Sequence, residues 1–463
     1  MAVDYDLVIL GGTPEGLDAA AQAARLGARV ALIRQGLDGR RSPLQMQGLL
    51  QTNPNDPLPP PTDSPISPWQ WAVQRATLIA DTLTQDDWQR LMVQGVDVIA
   101  ASGQISGDRP LTLTTPARQL TTRALLLATG HTPSVPALPG LSAVAYDTPQ
   151  SFLQRQTLPA SVIIWGSAPL GLALAQNLRR WGVAVTLITP KPRLLPAADP
   201  EISQWLAAQL RAEGIDLRLN ADLLAVTAQP EGITAKLADA PITAASLVVA
   251  AQPGANLRNL DLQTVFQSDR PLTVNAFLQT EHPRIYACGA VLGGDDLPAI
   301  ARQEAHCALH NALFWHRQRI DYSTIPYALP TQPTVAQVGL TEPQARQRYS
   351  DSQLLVARQS LDQNPKAQWR AATGGFCKLL AHRDGQLIGA HGIGPEATEW
   401  MQTVALLMAQ KTPWWRLANF AALPDSFTEI LRQATQQWER DRWQPGGWRY
   451  DWAENWHNWR RSR

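Results

Sequence analysis

Apolar strand-like runs and alanine-rich helical runs follow one another twice along the first half of the chain. The first succession has an apolar run at 6–10, a helical run at 17–26 and a second apolar run at 28–33. The second has the same order, at 161–165, 172–181 and 183–188. Short apolar runs on either side of a helical pattern are typical of buried parallel strands joined by a crossover helix. The pattern therefore predicts two βαβ units.

A glycine-rich turn separates the first strand from the helix in each unit. Glycine permits a tight turn and close helix packing, and the helix start directs free backbone N–H groups and its positive dipole end toward a pyrophosphate. Pro14 and Pro169 suit the first helical position, where no N–H partner is needed. A single copy would be weak evidence for a dinucleotide site, because Thr13 and Ala168 replace the usual middle glycine. Two copies in the correct context predict two dinucleotide pockets, the layout of a flavin enzyme.

The remaining pattern predicts further elements of both kinds. The proline-rich stretch 53–68 reads as a surface loop, since proline suits neither a helix interior nor a strand ladder. Helical periodicity covers 69–93, and alternating patterns predict a strand at 96–99 and a hairpin over 111–127. Residues 244–250 close the second unit, and 273–289 predict a β-rich stretch. After Tyr327, strands such as 375–380 and 387–390 alternate with helices, as in a mixed α+β domain.

Composition narrows the class of protein. A chain of 463 residues suits two to four domains, and 40 Lys+Arg against 39 Asp+Glu leave no overall charge to attract nucleic acid or an anionic membrane. No run approaches the ~20 apolar residues of a spanning helix, and the start lacks an apolar leader, so we expect a cytoplasmic protein. Cys288, Cys307 and Cys377 are far apart in sequence, which favours buried, inert thiols.

A series of ordered motifs resembles the pyridine nucleotide-disulfide oxidoreductase family of flavoproteins, which contains dihydrolipoamide dehydrogenase, glutathione reductase and mercuric reductase. The resemblance extends to about Gln437. The motifs are the two glycine turns, residues 125–133, Pro136, 139–140, 193–196, 199–202, 285–289, 338–342, 389–391 and 394–395.

This resemblance implies an α/β fold with two Rossmann-like dinucleotide-binding domains, of FAD and NAD(P) type, and a C-terminal α+β dimerisation domain that forms a homodimer. We assign residues 1–145 to the first part of the FAD-binding domain, 146–255 to the NAD(P)-binding domain and 256–325 to the second part of the FAD-binding domain. Residues 326–437 are assigned to the dimerisation domain and 438–463 to a tail rich in tryptophan and arginine.

The residues that carry the chemistry of the family are replaced. The resemblance implies a redox dithiol after the second strand, where this chain has Arg41 and Met46, so thiol–disulfide exchange lacks its thiolate there. The histidine that protonates thiols in the family corresponds to Leu423, which is neither acid nor base. We expect a structural role for Glu429 and assign no catalytic residue and no metal ligand.

The cofactor contacts implied by the family are also altered. Acids expected to hold the adenosine ribose and the ribityl chain are Arg34 and Ala290, and the acid expected after the second turn is Ala173. Each lost hydrogen bond to a charged group costs about 1.5–3 kcal/mol, so FAD is expected to bind, but weakly. The predicted cofactor-binding residues of the first pocket are Gly11, Gly12, Thr13, Pro14, Glu15, Gly16, Arg34, Gln35, Thr129, Gly130, Gly289 and Ala290. The alternative is a flavoprotein fold that has lost its cofactor.

The second pocket has no carboxylate for the ribose diol of NADH. Its predicted cofactor-binding residues are Gly166, Ser167, Ala168, Gly171, Thr189 and Lys191. Lys191 or Arg193 would meet the 2′-phosphate of NADPH, which favours NADPH over NADH. The alternative is that both cations are merely solvated.

Six tryptophans and six arginines follow residue 437. Trp452, Trp456 and Trp459 fall on one helical face, which would pack across a dimer, dock a protein partner or lie on a membrane surface; no nucleic-acid partner is expected. The sequence thus predicts an FAD-dependent oxidoreductase, with NAD(P)H dependence left open, that passes electrons directly from flavin to an acceptor such as a quinone, a metal complex or another redox protein. The alternatives are a cofactor-poor scaffold that acts through this tail and a nucleotide-binding sensor.

Overall fold

The computed structural model describes residues 3–37, 41–52, 66–266, 272–315, 317–442 and 446–463. Its strands are β1 (Tyr5–Leu10), β2 (Val30–Ile33), β3 (Asp97–Ile99), β4 (Gln104–Gly107), β5 (Leu111–Thr114), β6 (Gln119–Leu127), β7 (His131–Thr132), β8 (Ser161–Trp165), β9 (Ala184–Ile188), β10 (Asp216–Arg218), β11 (Ala225–Gln229), β12 (Gly232–Lys236), β13 (Ile242–Ala244), β14 (Ser246–Val249), β15 (Gly254–Ala255), β16 (Ile285–Ala287), β17 (Tyr327–Leu329), β18 (Thr334–Gly339), β19 (Leu354–Ser360), β20 (Phe376–His382) and β21 (Leu387–Gly394). Its helices are α1 (Pro14–Arg25), α2 (Arg41–Leu50), α3 (Pro68–Val93), α4 (Pro149–Phe152), α5 (Pro169–Arg180), α6 (Pro200–Ala212), α7 (Pro298–Leu313), α8 (Glu342–Arg348), α9 (Pro365–Trp369), α10 (Ala397–Ala409), α11 (Glu429–Arg442) and α12 (Trp448–Arg461).

The first glycine turn belongs to a sheet with strand order β3-β2-β1-β6-β5-β4, in which β16 also pairs with β6. Strand β1 is parallel to β2 and β6, and its last four residues are fully buried. Leu7 and Ile9 pack among α1 and α7, whereas Val8 and Leu10 pack with the β4–β5 hairpin on the opposite face. Burial on both faces explains why β1 is a continuous apolar run, as expected of a central parallel strand.

The second glycine turn belongs to a parallel sheet with strand order β10-β9-β8-β14. A small antiparallel sheet, β11-β12-β13, lies next to it in sequence and shares its apolar core. Both predicted βαβ units are therefore present, with helices α1 and α5 beginning at Pro14 and Pro169.

The C-terminal region contains an antiparallel sheet with strand order β17-β18-β21-β20-β19. Helices α10 and α11 pack against it, and Trp400 and Trp414 are fully buried in the resulting core. The fold therefore has two Rossmann-like parts and an α+β part, as predicted. The chain divides into two compact units, residues 1–195 with 207–321 and residues 196–206 with 322–463. The finer division into five segments stays a prediction.

A buried ion-pair network, the Lys378 cluster, lies inside the second unit. The Lys378 ammonium is 3.1 Å from Asp199, 3.3 Å from Glu201 and in contact with Glu342. The side chain of Lys378 is 4% exposed and that of Asp199 is fully buried, so each charge depends on the other for compensation.

Some predicted elements differ in detail. The helix predicted over 69–93 begins one residue earlier, because Ser67 and Gln70 form a capping box and Pro68 occupies the first turn. Most of the β-rich stretch predicted over 273–289 is loop before β16, since Asn275 accepts hydrogen bonds from the N–H groups of Phe277 and Gln279. Residues 53–65 of the predicted proline-rich loop lie outside the described residues. No described helix is long and apolar enough to cross a membrane.

Candidate cofactor site

The first glycine turn is closed by contacts that exclude side chains. Gly11 has φ +124°, and a Cβ there would lie 1.9 Å from the carbonyl oxygen of Ala128. A Cβ on Gly16 would lie 2.5 Å from the carbonyl oxygen of Gly11. Thr13, which replaces the middle glycine, caps α1 by accepting from the Gly16 N–H at 3.4 Å and donates to the Ala128 carbonyl at 2.9 Å. The departure at Thr13 is therefore accommodated as a helix cap.

Three predicted segments meet at this turn, although they are far apart in sequence. A Cβ on Gly130 would lie 3.1 Å from Cγ2 of Thr13. Gly289 has φ +74°, and a Cβ there would lie 2.6 Å from Oε1 of Glu15. The start of α1 and these two glycines thus lie together, and we call this group of segments the first cradle.

Glu15 is the charged residue at the centre of the first cradle. It is 7% exposed, and burial raises its pKa from 4.5 to about 7. The neighbouring backbone N–H of Glu15 and the neighbouring Thr13 oppose this pKa increase, whereas the nearby charges of Asp296 and Glu304 add to it. A buried carboxyl group therefore lies at the start of α1, beside the glycine turn.

Glu304, on α7, was not anticipated from the sequence. Its Oε2 accepts the N–H of Gly289 at 2.6 Å, and the residue is 6% exposed. An acidic residue inside the alanine-rich stretch of α7 was the available signal. Glu304 holds the Gly289 segment against the helix, so it is a positioning residue of the first cradle.

Arg34 and Gln35 have partners within the protein. The Arg34 guanidinium stacks on Trp88 with its centre 4.4 Å from the ring, and its Nε donates to the Leu37 carbonyl. Gln35 and Gly103 exchange two hydrogen bonds of 2.7 Å. Sequence reasoning missed Trp88, because only the fold brings α3 beside β2. Contacts of Arg34 and Gln35 with FAD stay predictions.

Two further predicted residues of the first cradle are turned toward the protein. The Thr129 hydroxyl donates to the Asn256 carbonyl at 2.6 Å, and Asn256 returns a bond from its amide to the Thr129 carbonyl at 3.0 Å. Ala290 is buried, and its methyl side chain cannot form a hydrogen bond. The backbone at Gly130 and Gly289 is therefore what these two segments contribute to the cradle.

The second glycine turn has similar backbone packing and different side chains. Gly166 has φ +112°, and a Cβ on it would lie 2.3 Å from the Ala250 carbonyl oxygen. Helix α5 begins after Ala168, which makes no side-chain cap. Ser167 and Thr189 are hydrogen-bonded at 3.1 Å, and Lys191 is exposed just beyond them. This helix start carries neither a capping hydroxyl nor a carboxylate of its own.

The cysteines of the chain are buried, and other residues occupy the positions of the family's dithiol and histidine. All three cysteines are buried, as predicted, and burial raises the pKa of each thiol above its ordinary value. Arg41 pairs with Asp81, and Met46 is half-buried on α2. Leu423 is 74% exposed, and Glu429 pairs with Arg432.

The sequence matches two family models. The model described as pyridine nucleotide-disulphide oxidoreductase covers residues 5–312, and that of the dimerisation domain of the same family covers residues 325–435. The chain is 28% identical to mercuric reductase of Staphylococcus aureus over 87% of this chain and 77% of the relative. It is 28% identical to dihydrolipoyl dehydrogenase of Bacillus subtilis (strain 168) over 89% of this chain and 94% of the relative.

Solved structures share the fold. The Cu(II) complex of the HOCl-induced flavoprotein disulfide reductase RclA of Escherichia coli matches with a TM-score of 0.82 and 22% identity, over 94% of this chain and 100% of that one. LpdA of Mycobacterium tuberculosis matches with a TM-score of 0.82 and 22% identity, over 93% and 99%. The match to the dimerisation domain supports a homodimer. With a family model over more than half of its length, the chain belongs to the pyridine nucleotide-disulphide oxidoreductase family, whose members are FAD-binding oxidoreductases that use NAD(P)H.

Proposed function

We propose that this protein is an FAD-dependent oxidoreductase that delivers electrons from the flavin directly to an acceptor, without a dithiol relay. FAD would supply the capacity to accept a hydride from NAD(P)H and to release electrons to that acceptor. The observation that carries the proposal is the state of the thiols. All three cysteines of the chain are buried, and the positions expected for the dithiol are occupied by Arg41 and Met46. A buried thiol with a raised pKa is a poor nucleophile for disulfide exchange.

The backbone of the first cradle fits the pyrophosphate of FAD. Gly11, Gly16, Gly130 and Gly289 allow their backbone segments to pack closely around the start of α1, which supplies a positive dipole end. These residues would hold the pyrophosphate, while the second turn and Lys191 would hold NAD(P)H. The absence of carboxylates at Arg34 and Ala290 supports weaker FAD binding than in a protein that has both.

Purified protein tests the cofactor part of this proposal by its visible absorption spectrum. We expect flavin bands after incubation with FAD and removal of the excess. Electron transfer is then measured with NADH or NADPH as donor and with a quinone or ferricyanide as acceptor, beside lipoamide, glutathione disulfide and Hg(II). We expect turnover only with the first pair of acceptors, and the same rate after treatment with N-ethylmaleimide. Robust reduction of lipoamide or glutathione disulfide would overturn the proposal.

A second candidate function is that of a scaffold which uses the fold without its redox chemistry. The observation that favours it is helix α12, on which no residue is buried and four tryptophans are 45–73% exposed. Trp452, Trp456 and Trp459 form one row, with neighbouring ring centroids 6.1 and 5.1 Å apart. An exposed apolar row of this kind is typical of a surface that contacts a protein partner or a membrane.

We propose a cytoplasmic location for the protein, where its free cysteines would stay reduced.

The two candidate functions differ in the expected spectrum. A scaffold shows no flavin bands even with excess FAD and loses its partner when α12 is removed. The oxidoreductase keeps its bands and its turnover in the same truncated chain. Both properties are measured on one pair of proteins, the full chain and the chain that ends before Gly446.

A further inference from the structure

The first cradle is already lined by side chains of the protein itself. A Cβ on Gly12 would lie 3.1 Å from the Trp88 side chain. A Cβ on Gly130 would lie 3.1 Å from Thr13, and one on Gly289 would lie 2.6 Å from Glu15. Of these three side chains, Glu15 alone is acidic. Its carboxylate is buried at the start of α1, between the turn and Gly289.

A carboxyl group at this place lies at the helix start that would face a phosphate, although burial makes its ionised form unfavourable. The first turn of a helix leaves backbone N–H groups without intrahelical partners, and its dipole favours a negative charge. The Glu15 carboxyl group lies beside its own backbone N–H and Thr13, both of which favour its ionised form. The start of α5 shows the contrast, because Ala168 makes no side-chain cap there.

We propose that the carboxylate of Glu15 is an internal substitute for the pyrophosphate of FAD, and that the protein takes up FAD only when this side chain leaves the turn. This inference deepens the proposed function and rests on it. Glu15 then controls how much of the protein holds the cofactor. The replacement of the expected acids by Arg34 and Ala290 weakens FAD binding further.

The electrostatic surroundings of Glu15 oppose the presence of both anions together. Glu304 faces it from α7 and Asp296 from the segment before α7, and both charges raise the pKa of Glu15 further. The Cys288 thiol also lies within electrostatic range, and His131 is 3.8 Å from Asp296. A pyrophosphate added beside an ionised Glu15 would meet three carboxylates. Protonation of Glu15 removes the charge of the competing group, so FAD binding is expected to strengthen as the pH falls below 7.

Binding measurements on four full-length, cofactor-free proteins test this inference. They are the wild type, Glu15→Gln, Glu15→Ala and the control Asp18→Asn, which removes a negative charge one turn later on α1, where Asp18 pairs with Arg302 at 2.8 Å. The probes are FAD and ADP, because ADP carries the two phosphates without the flavin. We expect the Kd of both probes to fall about tenfold or more in the Glu15 variants and to stay unchanged in the control.

The two probes separate this inference from the proposed function. Equal FAD affinity in the wild type and both Glu15 variants refutes the inference and leaves the proposed function standing. An ADP site gained only by the Glu15 variants, with no FAD binding in any protein, supports the exclusion of phosphate by Glu15 but refutes the uptake of FAD, and the proposed function with it. The second turn is the same in all four proteins, so its contribution to ADP binding cancels.

A measurement on the wild type alone covers the case in which a Glu15 variant does not fold. Its Kd for FAD is determined at pH 6 and at pH 8 at constant ionic strength. The inference requires tighter binding at pH 6. A Kd that is the same at both pH values, or lower at pH 8, overturns it.

Discussion

Replacement of Glu15 by glutamine should make the cofactor-free protein more stable at alkaline pH and leave it nearly unchanged in acid. Burial raises the pKa of Glu15 from 4.5 to about 7. One pKa unit of difference between the folded and unfolded states is worth about 1.4 kcal/mol, so the ionised side chain costs the folded state about 3 kcal/mol. Glutamine has nearly the same shape and no proton to lose, so this cost is absent in Glu15→Gln.

The direction with pH follows from proton binding. Below about pH 4.5 the carboxyl group is protonated in both states and the favourable contribution is fully present. Between about pH 4.5 and pH 7 the unfolded chain has released the proton that the folded chain still holds, so the free energy of unfolding falls as the pH rises. Above about pH 7 both states are ionised and the loss is complete.

The assay is urea unfolding at a series of pH values, followed by tryptophan fluorescence and near-UV circular dichroism. The free energy of unfolding of Glu15→Gln minus that of the wild type should increase by about 3 kcal/mol between pH 4.5 and pH 8. Other titrating groups occur in both proteins and cancel in this difference. Asp18→Asn is the control for the removal of a negative charge from α1. Parallel curves for Glu15→Gln and the wild type would refute the burial of an ionisable Glu15.

Three further outcomes are expected. Lys378→Met should lower the free energy of unfolding of the second unit by about 3–5 kcal/mol, because it leaves the acidic residues of the Lys378 cluster without compensation; a loss below 1 kcal/mol in urea unfolding would contradict this. None of the three cysteines should react with Ellman's reagent in the native protein, and all three should react after denaturation, as absorbance at the thiolate-release band will show. A chain truncated before Gly446 should keep the melting temperature of the full chain, since α12 buries no residue, whereas truncation before Trp438 should lower it, because that indole packs on the core.

The glycine segments of the first cradle are recognisable in the sequence, whereas the burial of Glu15 beside them is not. The glycines at 11, 16, 130 and 289 each belong to a recognisable motif, and in the fold they lie around the start of α1. Their contact with a cofactor stays a prediction. Glu15 is among the predicted cofactor-binding residues, but the sequence does not indicate that its carboxyl group is buried. Its burial depends on Gly289 and α7, whose positions relative to α1 follow from sheet pairing and not from local pattern.

The C-terminal tail shows the same limit. A tail beginning at Trp438 follows from the end of the family resemblance. In the structure α11 continues to Arg442, and the indole of Trp438 lies 4.5 Å from that of Trp414, which is fully buried. Helix periodicity in Trp452, Trp456 and Trp459 was readable from the sequence, but the packing partner of Trp438 was not.

The pairing of β16 with β6 has a consequence for biosynthesis. Residues 285–287 align with Leu125, Leu126 and Leu127, so the edge of β6 has no strand partner on that side until the ribosome has made them. Unpaired apolar strand edges are templates for aggregation, and domains begin to fold while the chain is still emerging. Each nascent copy therefore carries an open, leucine-rich edge through a large part of its synthesis, and chaperone binding is expected at that stage. Because Gly289 follows β16, the first cradle cannot form until more than half of the chain has been translated.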